Sequence, residues 1–343
     1  MQRVAREIVL ALDALLATDP AAEYWRLLHP PGASAPDLRA IRAEPLEGVG
    51  GKLGNNGTLW EQTALSWASR GRLLINLANS APVLHGRNIV LMHDAQVFDS
   101  PGSYSRAFRA WYRVMQPLVA RRAQGLWSVS AFSAYRLGRN GIGRAESIRV
   151  LHNGLDHILR VPADDDAVAR LGLEPGRFAL AFASAQPHKN LELLLEAWRD
   201  PRLADIPLAL IGGALPAGST TGPNIRRLGR VDDAGLRALY AACLVFLFPS
   251  TTEGFGLPPG EAMLCGAPAV VSDAGALSEI YDGAARLLPH NAPGAWSQAV
   301  LDLAADAEMR RALIAAGRAH VARFTWESAA KRLLDSLRAP RKR

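Results

Sequence analysis

Short apolar runs alternate with longer stretches of helical periodicity along most of this chain, and this alternation constrains the fold more than any other feature. Runs such as Asn88 to Met92, Phe178 to Ala183 and Leu244 to Phe248 are almost wholly apolar and only five or six residues long. Parallel strands joined by crossover helices produce this pattern, because both faces of such a sheet are covered. The sequence therefore predicts an α/β protein with doubly wound parallel sheets.

The predicted strands fall into two groups. In the first half they are Arg72 to Leu77, Asn88 to Met92, Gly125 to Val129 and Ser147 to Leu151. In the second half they are Phe178 to Ala183, Leu208 to Ile211, Arg226 to Leu228, Leu244 to Phe248, Ala269 to Ser272 and Arg286 to Leu288. Helices are predicted at Val4 to Ala17, Leu191 to Arg199, Asp233 to Ala242 and over most of Pro293 to Leu337.

The acidic run Asp164-Asp165-Asp166, with prolines nearby, marks the passage between the two halves. We therefore predict two domains, residues 1–156 and 157–325, followed by a closing helix and basic tail at residues 326–343. The tail after Leu337 is predicted to be disordered. The segment Gly48-Val-Gly-Gly-Lys-Leu-Gly-Asn-Asn-Gly57 has no strand before it, which favours a surface loop over a phosphate-binding loop.

Composition favours a globular protein of the cytoplasm. The chain has 343 residues, 49% of them hydrophobic, and no uninterrupted apolar run approaches the roughly 20 residues that a membrane span needs. The N-terminus carries an internal acid and a helical apolar period, so it does not have the form of a secretory signal. Cys243 and Cys265 both lie in apolar segments and form no disulfide or metal framework.

The net charge of +7 is concentrated in the first half. Residues 101–150 hold nine arginines and a single acid, Glu146. Phe108, Trp111 and Met115 recur there at helical spacing with arginines between them, which predicts a basic amphipathic helix. Such a helix is either an ordinary surface helix or a contact for an anionic membrane leaflet or a lipid diphosphate. No nucleic-acid-binding motif accompanies it, so nucleic acid is not an expected partner.

Two carboxylates, Glu253 and Glu261, flank a glycine-rich turn in Phe248-Pro-Ser-Thr-Thr-Glu-Gly-Phe-Gly-Leu-Pro-Pro-Gly-Glu261. The proline pair suits a helix start, where free N–H groups and the helix dipole attract an anion such as a phosphate. Glu253 would meet the part of a ligand that reacts, and Glu261, on the first helical turn, would accept hydrogen bonds from vicinal hydroxyls such as those of a ribose. Glutamates near helix starts also occur for capping alone.

The surrounding segments, Leu228 to Cys243, Gly266 to Gly275 and Ser278-Glu279, add to this motif. Together they resemble the C-terminal half of the retaining, nucleotide-sugar-dependent glycosyltransferases of family 4, whose mark is two glutamates separated by seven residues. The resemblance is specific from about Leu151 onward. It implies the glycosyltransferase-B fold, with two facing Rossmann-like domains and a final helix that returns to the first domain. It also implies mannosyltransferase-like chemistry without an essential metal.

Residues of the leaving-group site are identified on the same resemblance. Ser184-Ala-Gln-Pro-His-Lys189-Asn190 follows an apolar strand and opens a helix, where a lysine would neutralise a diphosphate. Many relatives have an arginine at the position of Ser184, so a hydroxyl or another cation would serve here. Lys189 and the main chain of the turn are the predicted diphosphate ligands; the turn residues are Gly254, Phe255, Gly256 and Leu257.

His93 follows the predicted strand Asn88 to Met92. By resemblance it would contact the transferred sugar or stabilise the cationic transition state through its carbonyl; a histidine at a strand end is otherwise often structural. The predicted catalytic residues are therefore Glu253, His93 and Lys189.

The predicted function is retaining transfer of a hexose, with mannose favoured, from a nucleotide-diphosphate sugar to a lipid-linked or polysaccharide acceptor. GDP-mannose is the first candidate donor, and neither a cofactor nor a metal is expected. The expected location is the cytoplasm, at the inner face of the plasma membrane. Two alternatives stay open: a catalytically silent scaffold of the same fold, and a nucleotide-sugar epimerase or phosphorylase.

One departure from the family concerns the N-terminus. Family members begin with a strand and a glycine-containing loop, whereas this sequence begins with the predicted helix Val4 to Ala17. The N-terminal domain is therefore expected to lack its first strand. Either the natural start lies upstream, or the N-terminal sheet is rearranged.

Overall fold

The computed structural model describes residues 2–48, 57–216, 218–219 and 222–338. The chain divides into two compact units, Met1–Gly154 with Thr325–Arg343 (unit 1) and Leu155–Phe324 (unit 2). The boundaries predicted from the sequence lie between residues 156 and 157 and between residues 325 and 326. Most of the predicted surface loop, residues 49–56, and the tail beyond Arg338 lie outside the described residues.

The strands are parallel and lie in three sheets within the described ranges. Unit 1 contains β1 (Arg26–His29), β2 (Arg42–Pro45), β3 (Leu74–Asn76), β4 (Asn88–Met92), β5 (Gly125–Ser128) and β6 (Arg149–Val150). Unit 2 contains β7 (Ala179–Phe182), β8 (Leu208–Ile211), β9 (Ile225–Gly229), β10 (Val245–Phe248), β11 (Ala269–Ser272) and β12 (Arg286–Leu288). β1 and β2 form the small sheet, β3 to β6 the N-terminal sheet and β7 to β12 the C-terminal sheet.

The helices connect these strands and cover the sheets. They are α1 (Gln2–Leu16), α2 (Gly57–Trp60), α3 (Ser66–Ala68), α4 (Gln96–Asp99), α5 (Arg106–Arg122), α6 (Ala131–Arg139), α7 (Ala167–Arg170), α8 (Leu191–Ala197), α9 (Asp233–Ala242), α10 (Leu257–Cys265), α11 (Ala276–Tyr281), α12 (Pro293–Ala305), α13 (Ala307–Val321) and α14 (Trp326–Arg338). Within the described ranges, none of them combines the length and the apolar character that crossing a bilayer requires.

The C-terminal sheet has the order β9-β8-β7-β10-β11-β12. Every residue of β8, β10 and β11 is buried, as expected where helices cover both faces of a parallel sheet. This order is 3-2-1-4-5-6 when the strands are counted along the chain, which is the doubly wound order of Rossmann-like domains. The fold class predicted from the sequence is confirmed: unit 2 is a complete Rossmann-like domain.

The N-terminal sheet has the order β3-β4-β5-β6, and β4 is buried along its whole length. Each of the ten predicted strand intervals overlaps a strand. The sequence did not predict β1 and β2, because these short segments contain charged residues and are largely exposed or half-buried. The closing helix α14 packs against α1, so the C-terminal segment belongs to unit 1 as the resemblance implies.

Candidate functional site

The C-terminal sheet reverses its strand order between the neighbouring strands β7 and β10. In open α/β sheets the loops on either side of such a reversal separate, and ligands bind at the carboxyl ends of the two strands. The loop after β7 carries Ser184 and Lys189, and the loop after β10 carries Glu253. The predicted site residues of unit 2 therefore gather at the place where this fold favours a ligand.

Hydrogen bonds hold these two loops together. Asn190, whose φ of 53° lies in the left-handed region, ends the 3₁₀ turn Pro187–Lys189. Its side-chain amide donates to the main-chain oxygens of Pro249 (3.1 Å) and His290 (2.8 Å). The N–H of Thr251 donates to the carbonyl of His188 at 2.8 Å. The position of Lys189 is therefore fixed relative to the loop that carries Glu253.

Lys189 and Glu253 form an ion pair with 2.6 Å between Nζ and Oε1. Nζ also lies 5.5 Å from the centre of the Phe248 ring. The Glu253 side chain is 11% exposed and that of Lys189 29%, so the carboxylate is largely removed from water while the ammonium stays accessible. Because an ammonium has three N–H donors, this contact leaves donors for an incoming anion. The lysine and the turn beyond Glu253 thus converge in one place.

Ser184 lies two residues beyond β7 and is half-buried, and its hydroxyl accepts a hydrogen bond from the N–H of Gln186 at 3.2 Å. It shapes the turn that leads to Lys189. A contact between Ser184 and a phosphate stays a prediction.

Gly275 supports the main chain of Glu253 from the next loop. The N–H of Ala276 donates to the Glu253 carbonyl at 3.2 Å, and Gly275 has a φ of 65° and a ψ of −142°. A Cβ atom on Gly275 would lie 2.8 Å from the Glu253 nitrogen. Only glycine combines this backbone conformation with so close an approach.

Gly275→Ala is therefore expected to lower the free energy of unfolding by about 3 kcal/mol, from backbone strain together with displacement of Glu253. Gly283→Ala is the matched control, because Gly283 has a φ of 72° and nothing within 4 Å of its added Cβ. It should cost only about 1–2 kcal/mol, the strain alone. Urea denaturation measures both, and equal losses would contradict the assigned clash.

The glycine-rich turn leads directly into α10. Gly256, with a φ of 80°, is the N-cap residue, and α10 begins at Leu257, one residue before the proline pair. The Tyr281 hydroxyl donates to the Gly256 carbonyl and accepts from the Gly260 N–H at 3.1 Å. Phe255 is buried, with its ring centre 5.6 Å from that of Phe324. Gly254, Phe255, Gly256 and Leu257 thus form a rigid turn at the start of a helix, the arrangement that attracts anions.

Glu261 lies in the second turn of α10, not in the first as predicted, because the helix begins at Leu257. Its side chain is buried: Oε1 lies 3.0 Å from His157 Nε2, and Oε2 accepts a hydrogen bond from the Tyr240 hydroxyl at 3.4 Å. The sequence marks neither partner, since His157 falls at the predicted domain boundary and Tyr240 in the middle of an apolar helix face. A contact between Glu261 and a ribose stays a prediction.

His93 lies in unit 1, directly after β4. Its ring is buried, and Nε2 lies 2.8 Å from the Leu77 carbonyl, so Nε2 is the protonated nitrogen that donates. Burial lowers the pKa of His93 to about 4. At neutral pH the imidazole is therefore uncharged, and its Leu77 contact gives it a structural role in addition to any contact with a sugar.

Because His93 is buried and neutral, we expect the free energy of unfolding to fall in acid. Between pH 6.5 and about pH 4 the unfolded chain protonates His93 whereas the folded chain does not, so the stability contributed by the neutral ring is lost as pH falls through this window. The loss is about 3 kcal/mol at pH 4. His93→Gln should remove this component from urea-denaturation curves measured from pH 7 to pH 4. His290→Gln is the control, because that side chain is 45% exposed, and it should lose as much stability between pH 7 and pH 4 as the wild type. If His93→Gln also lost as much stability as the wild type in this range, His93 would not be its cause.

The structure also describes the cysteines and possible metal ligands. Both cysteines are buried free thiols, and burial raises the pKa of Cys265 to about 12 and that of Cys243 still further. They therefore stay protonated at neutral pH and are poor metal ligands. Among the described residues, no group of three or more histidine, cysteine, aspartate or glutamate side chains is arranged to hold a metal ion.

Comparison with known proteins found one family model and several relatives that resemble this chain. The model of the family Glycosyl transferases group 1 matches residues 177–306. A D-inositol 3-phosphate glycosyltransferase of Segniliparus rotundus is 34% identical over 82% of this chain and 64% of its own length. The O-antigen chain mannosyltransferase B of Escherichia coli is 29% identical over 73% of this chain and 70% of its own length. The chain thus spans about two thirds of the length of these relatives.

Solved structures share the fold. Sucrose-phosphate synthase from Thermosynechococcus elongatus superposes with a TM-score of 0.73 over 97% of this chain and 92% of its own, at 21% identity. HepE from Anabaena, in complex with UDP and glucose, superposes with a TM-score of 0.71 over 97% of this chain and 96% of its own, also at 21% identity.

Proposed function

We propose that this chain, which belongs to the glycosyl transferases group 1, transfers a hexose from a nucleotide-diphosphate sugar. Its units are Rossmann-like α/β units of the glycosyltransferase-B type. The observation that carries the proposal is the Lys189–Glu253 pair at the strand-order reversal of unit 2. A cation and an acidic hydrogen-bond acceptor lie side by side there, next to a helix N-terminus. A glycosyl diphosphate needs this combination, since its sugar presents hydroxyls and its leaving group is an anion.

In the proposed reaction the bond between the anomeric carbon and the phosphate oxygen breaks while a bond to the acceptor hydroxyl oxygen forms. Lys189 and the N–H groups at the start of α10 stabilise the negative charge that develops on the diphosphate. Glu253 orients the donor sugar by accepting hydrogen bonds from its hydroxyls. With retention of configuration, the acceptor approaches the face that the diphosphate leaves, and the departing phosphate oxygen takes the acceptor proton, so no separate base is required.

The donor is proposed to be GDP-mannose or a UDP-hexose. Mannosyltransferases occur among the relatives, including an MMP alpha-(1->4)-mannosyltransferase of Mycolicibacterium hassiacum that is 34% identical over 65% of this chain. HepE, which has the same fold, has been solved with UDP-glucose. The Lys189–Glu253 site suits the diphosphate and a sugar hydroxyl, and these are common to both donors.

Thermal unfolding with GDP-mannose and with UDP-glucose distinguishes these donors. One of them should raise the melting temperature, with about 2.7 kcal/mol of added stability at a concentration 100 times its Kd. The corresponding nucleoside monophosphate is the control and should have much less effect, because it lacks the diphosphate. Stabilisation followed by release of nucleoside diphosphate with an acceptor supports transfer. Stabilisation without turnover would indicate the silent scaffold, and no stabilisation by any donor would contradict the proposal.

The acceptor is proposed to be lipid-linked, at the inner membrane face, because α5 exposes aromatic and basic side chains together. Phe108, Trp111 and Val114 are 38%, 39% and 59% exposed, while Met115 and Val119, further along the same helix, are buried in the core. Arg106 and Arg113 are exposed on the same helix. An amphipathic helix of this kind binds anionic interfaces through apolar burial and charge attraction.

Trp111→Ala should weaken binding to vesicles containing anionic phosphatidylglycerol about tenfold in a sedimentation assay, by loss of buried aromatic area. Trp67→Ala is the matched control, because Trp67 is 71% exposed but lies outside α5. It should bind like the wild type. Equal binding of the wild type to neutral phosphatidylcholine vesicles, or equal loss in both variants, would contradict the role of α5.

A further inference from the structure

The Glu261 carboxylate is buried in unit 2, where it meets side chains from two other elements. The Glu261 side chain is 6% exposed and that of His157 is 5% exposed. Oε1 lies 3.0 Å from His157 Nε2, whereas Oε2 accepts a longer hydrogen bond of 3.4 Å from the Tyr240 hydroxyl. Two bare acceptors would repel each other at 3.0 Å, so Nε2 is a ring nitrogen that carries a proton. Of these two partners, His157 therefore makes the closer polar contact.

His157 lies in the 3₁₀ turn Asp156–Arg160, which packs against both α9 and α10. Arg237 of α9 holds the end of this turn, because its guanidinium donates to the carbonyl of Leu159 at 2.9 Å and to the carbonyl of Val161. The turn is thus fixed to unit 2 by hydrogen bonds as well as by packing. The imidazole can therefore hold the carboxylate in place rather than move with it.

The arrangement leaves acceptor capacity on the Glu261 carboxylate. An ionised carboxylate has about four acceptor sites, two on each oxygen. The contacts with His157 and Tyr240 engage one site on each oxygen. A pair of vicinal hydroxyls has two donors and requires one further site on each oxygen. A carboxylate that is already oriented accepts these donors with a smaller loss of conformational entropy.

We propose that His157 is a positioning residue, which orients the Glu261 carboxylate so that it accepts hydrogen bonds from both hydroxyls of a ribose. The inference rests on the proposed function, because it takes the ligand to be a nucleoside diphosphate, and it adds a residue through which ribonucleotides are selected over deoxyribonucleotides. Hydrogen bonds to a charged acceptor are the stronger ones and depend on its direction. Loss of the histidine donor therefore weakens the hydroxyl contacts of Glu261 and not the diphosphate contacts of Lys189.

Isothermal titration with GDP and with UDP, each compared with its 2′-deoxy form, measures this selection. The ratio of the two Kd values within one variant is the readout, because a loss of folded protein affects both titrations alike. The wild type is expected to bind the ribose form of at least one of these nucleotides about tenfold more tightly than the deoxy form, which is the usual effect of one hydrogen bond to a charged group.

Three substitutions of His157 separate positioning from packing. His157→Leu fills the space without a donor, so its preference for the ribose form should fall below about twofold. His157→Gln should restore most of the preference, because its amide nitrogen reaches the position of Nε2. His157→Asn should not restore it, because its amide nitrogen matches Nδ1 and falls short of Glu261.

His320→Leu is the matched control. His320 is a half-buried histidine of α13 in unit 2, and its Nε2 lies 2.7 Å from the Ile280 carbonyl rather than from a carboxylate. This variant should keep the wild-type preference for the ribose form.

A wild-type preference in His157→Leu, whatever its overall affinity, would make the histidine a packing residue only and would overturn the inference. A preference in His157→Gln no greater than in His157→Asn would also overturn it, since Nε2 would then have no special part. So would equal binding of the ribose and deoxy forms by the wild type, a result that leaves the proposed function standing. Absence of binding of both GDP and UDP by the wild type would instead contradict the proposed function itself, and the inference with it.

Discussion

Replacing Lys189 by alanine is expected to lower kcat for sugar transfer roughly 10²- to 10³-fold, which corresponds to about 3–4 kcal/mol of lost transition-state stabilisation. The ammonium is the accessible member of the pair, and negative charge on the diphosphate grows as the glycosidic bond breaks. The same change leaves the Glu253 carboxylate without its partner at 2.6 Å, so a loss of about 1–3 kcal/mol in the free energy of unfolding is expected as well.

Initial rates of nucleoside diphosphate release, measured well below the melting temperature of the variant, test this expectation. Lys331→Ala is the control, because Lys331 is an exposed lysine on α14 of unit 1. It should retain the wild-type kcat. A Lys189→Ala enzyme with wild-type turnover would remove Lys189 from the leaving-group site.

Glu253→Gln is expected to lower kcat/KM for the donor sugar about 10²-fold, or about 3 kcal/mol, because a neutral amide accepts hydrogen bonds from sugar hydroxyls less strongly than a carboxylate. Glutamine keeps the shape of the side chain and an oxygen for Lys189. Affinity for the nucleoside diphosphate alone, which has no sugar, should stay within about twofold of wild type. This difference separates contact with the sugar from contact with the diphosphate.

The matched control is Glu196→Gln, which removes an ion pair of similar length, 2.5 Å to Arg199, from an exposed helix surface. Surface pairs of this kind contribute little, so this variant should keep both wild-type kcat/KM and wild-type diphosphate affinity. If Glu253→Gln lowered the affinity for the nucleoside diphosphate as much as Lys189→Ala does, the proposed division of roles between the two side chains would be wrong.

Much of the fold follows from residue order because apolar runs mark buried parallel strands. β4 and β10 are apolar at nearly every position and buried throughout, so local pattern and tertiary position agree. The meeting of Lys189 and Glu253 is likewise predictable, since each follows a central strand and the carboxyl ends of neighbouring parallel strands lie at one sheet edge. The residue order, together with the family resemblance, suffices for these features.

Other features depend on contacts that residue order does not encode locally. β1 and β2 are short and partly charged, so their strand character comes from pairing with each other. The environment of Glu261 depends on Tyr240 of α9 and on His157 of the 3₁₀ turn Asp156–Arg160, both of which pack against α10 in unit 2. The burial of His93 depends on the Leu77 carbonyl, 16 residues earlier in the chain. Long-range packing decides each of these.

The central claim is that a nucleotide diphosphate binds in unit 2 at Lys189. Isothermal titration of the wild type and of Lys189→Ala with the nucleoside diphosphate of the preferred donor tests it most directly. The wild type should bind, and the variant should bind at least about 30-fold more weakly, a difference of about 2 kcal/mol. The same Kd in both proteins, or no binding by the wild type, would contradict the claim.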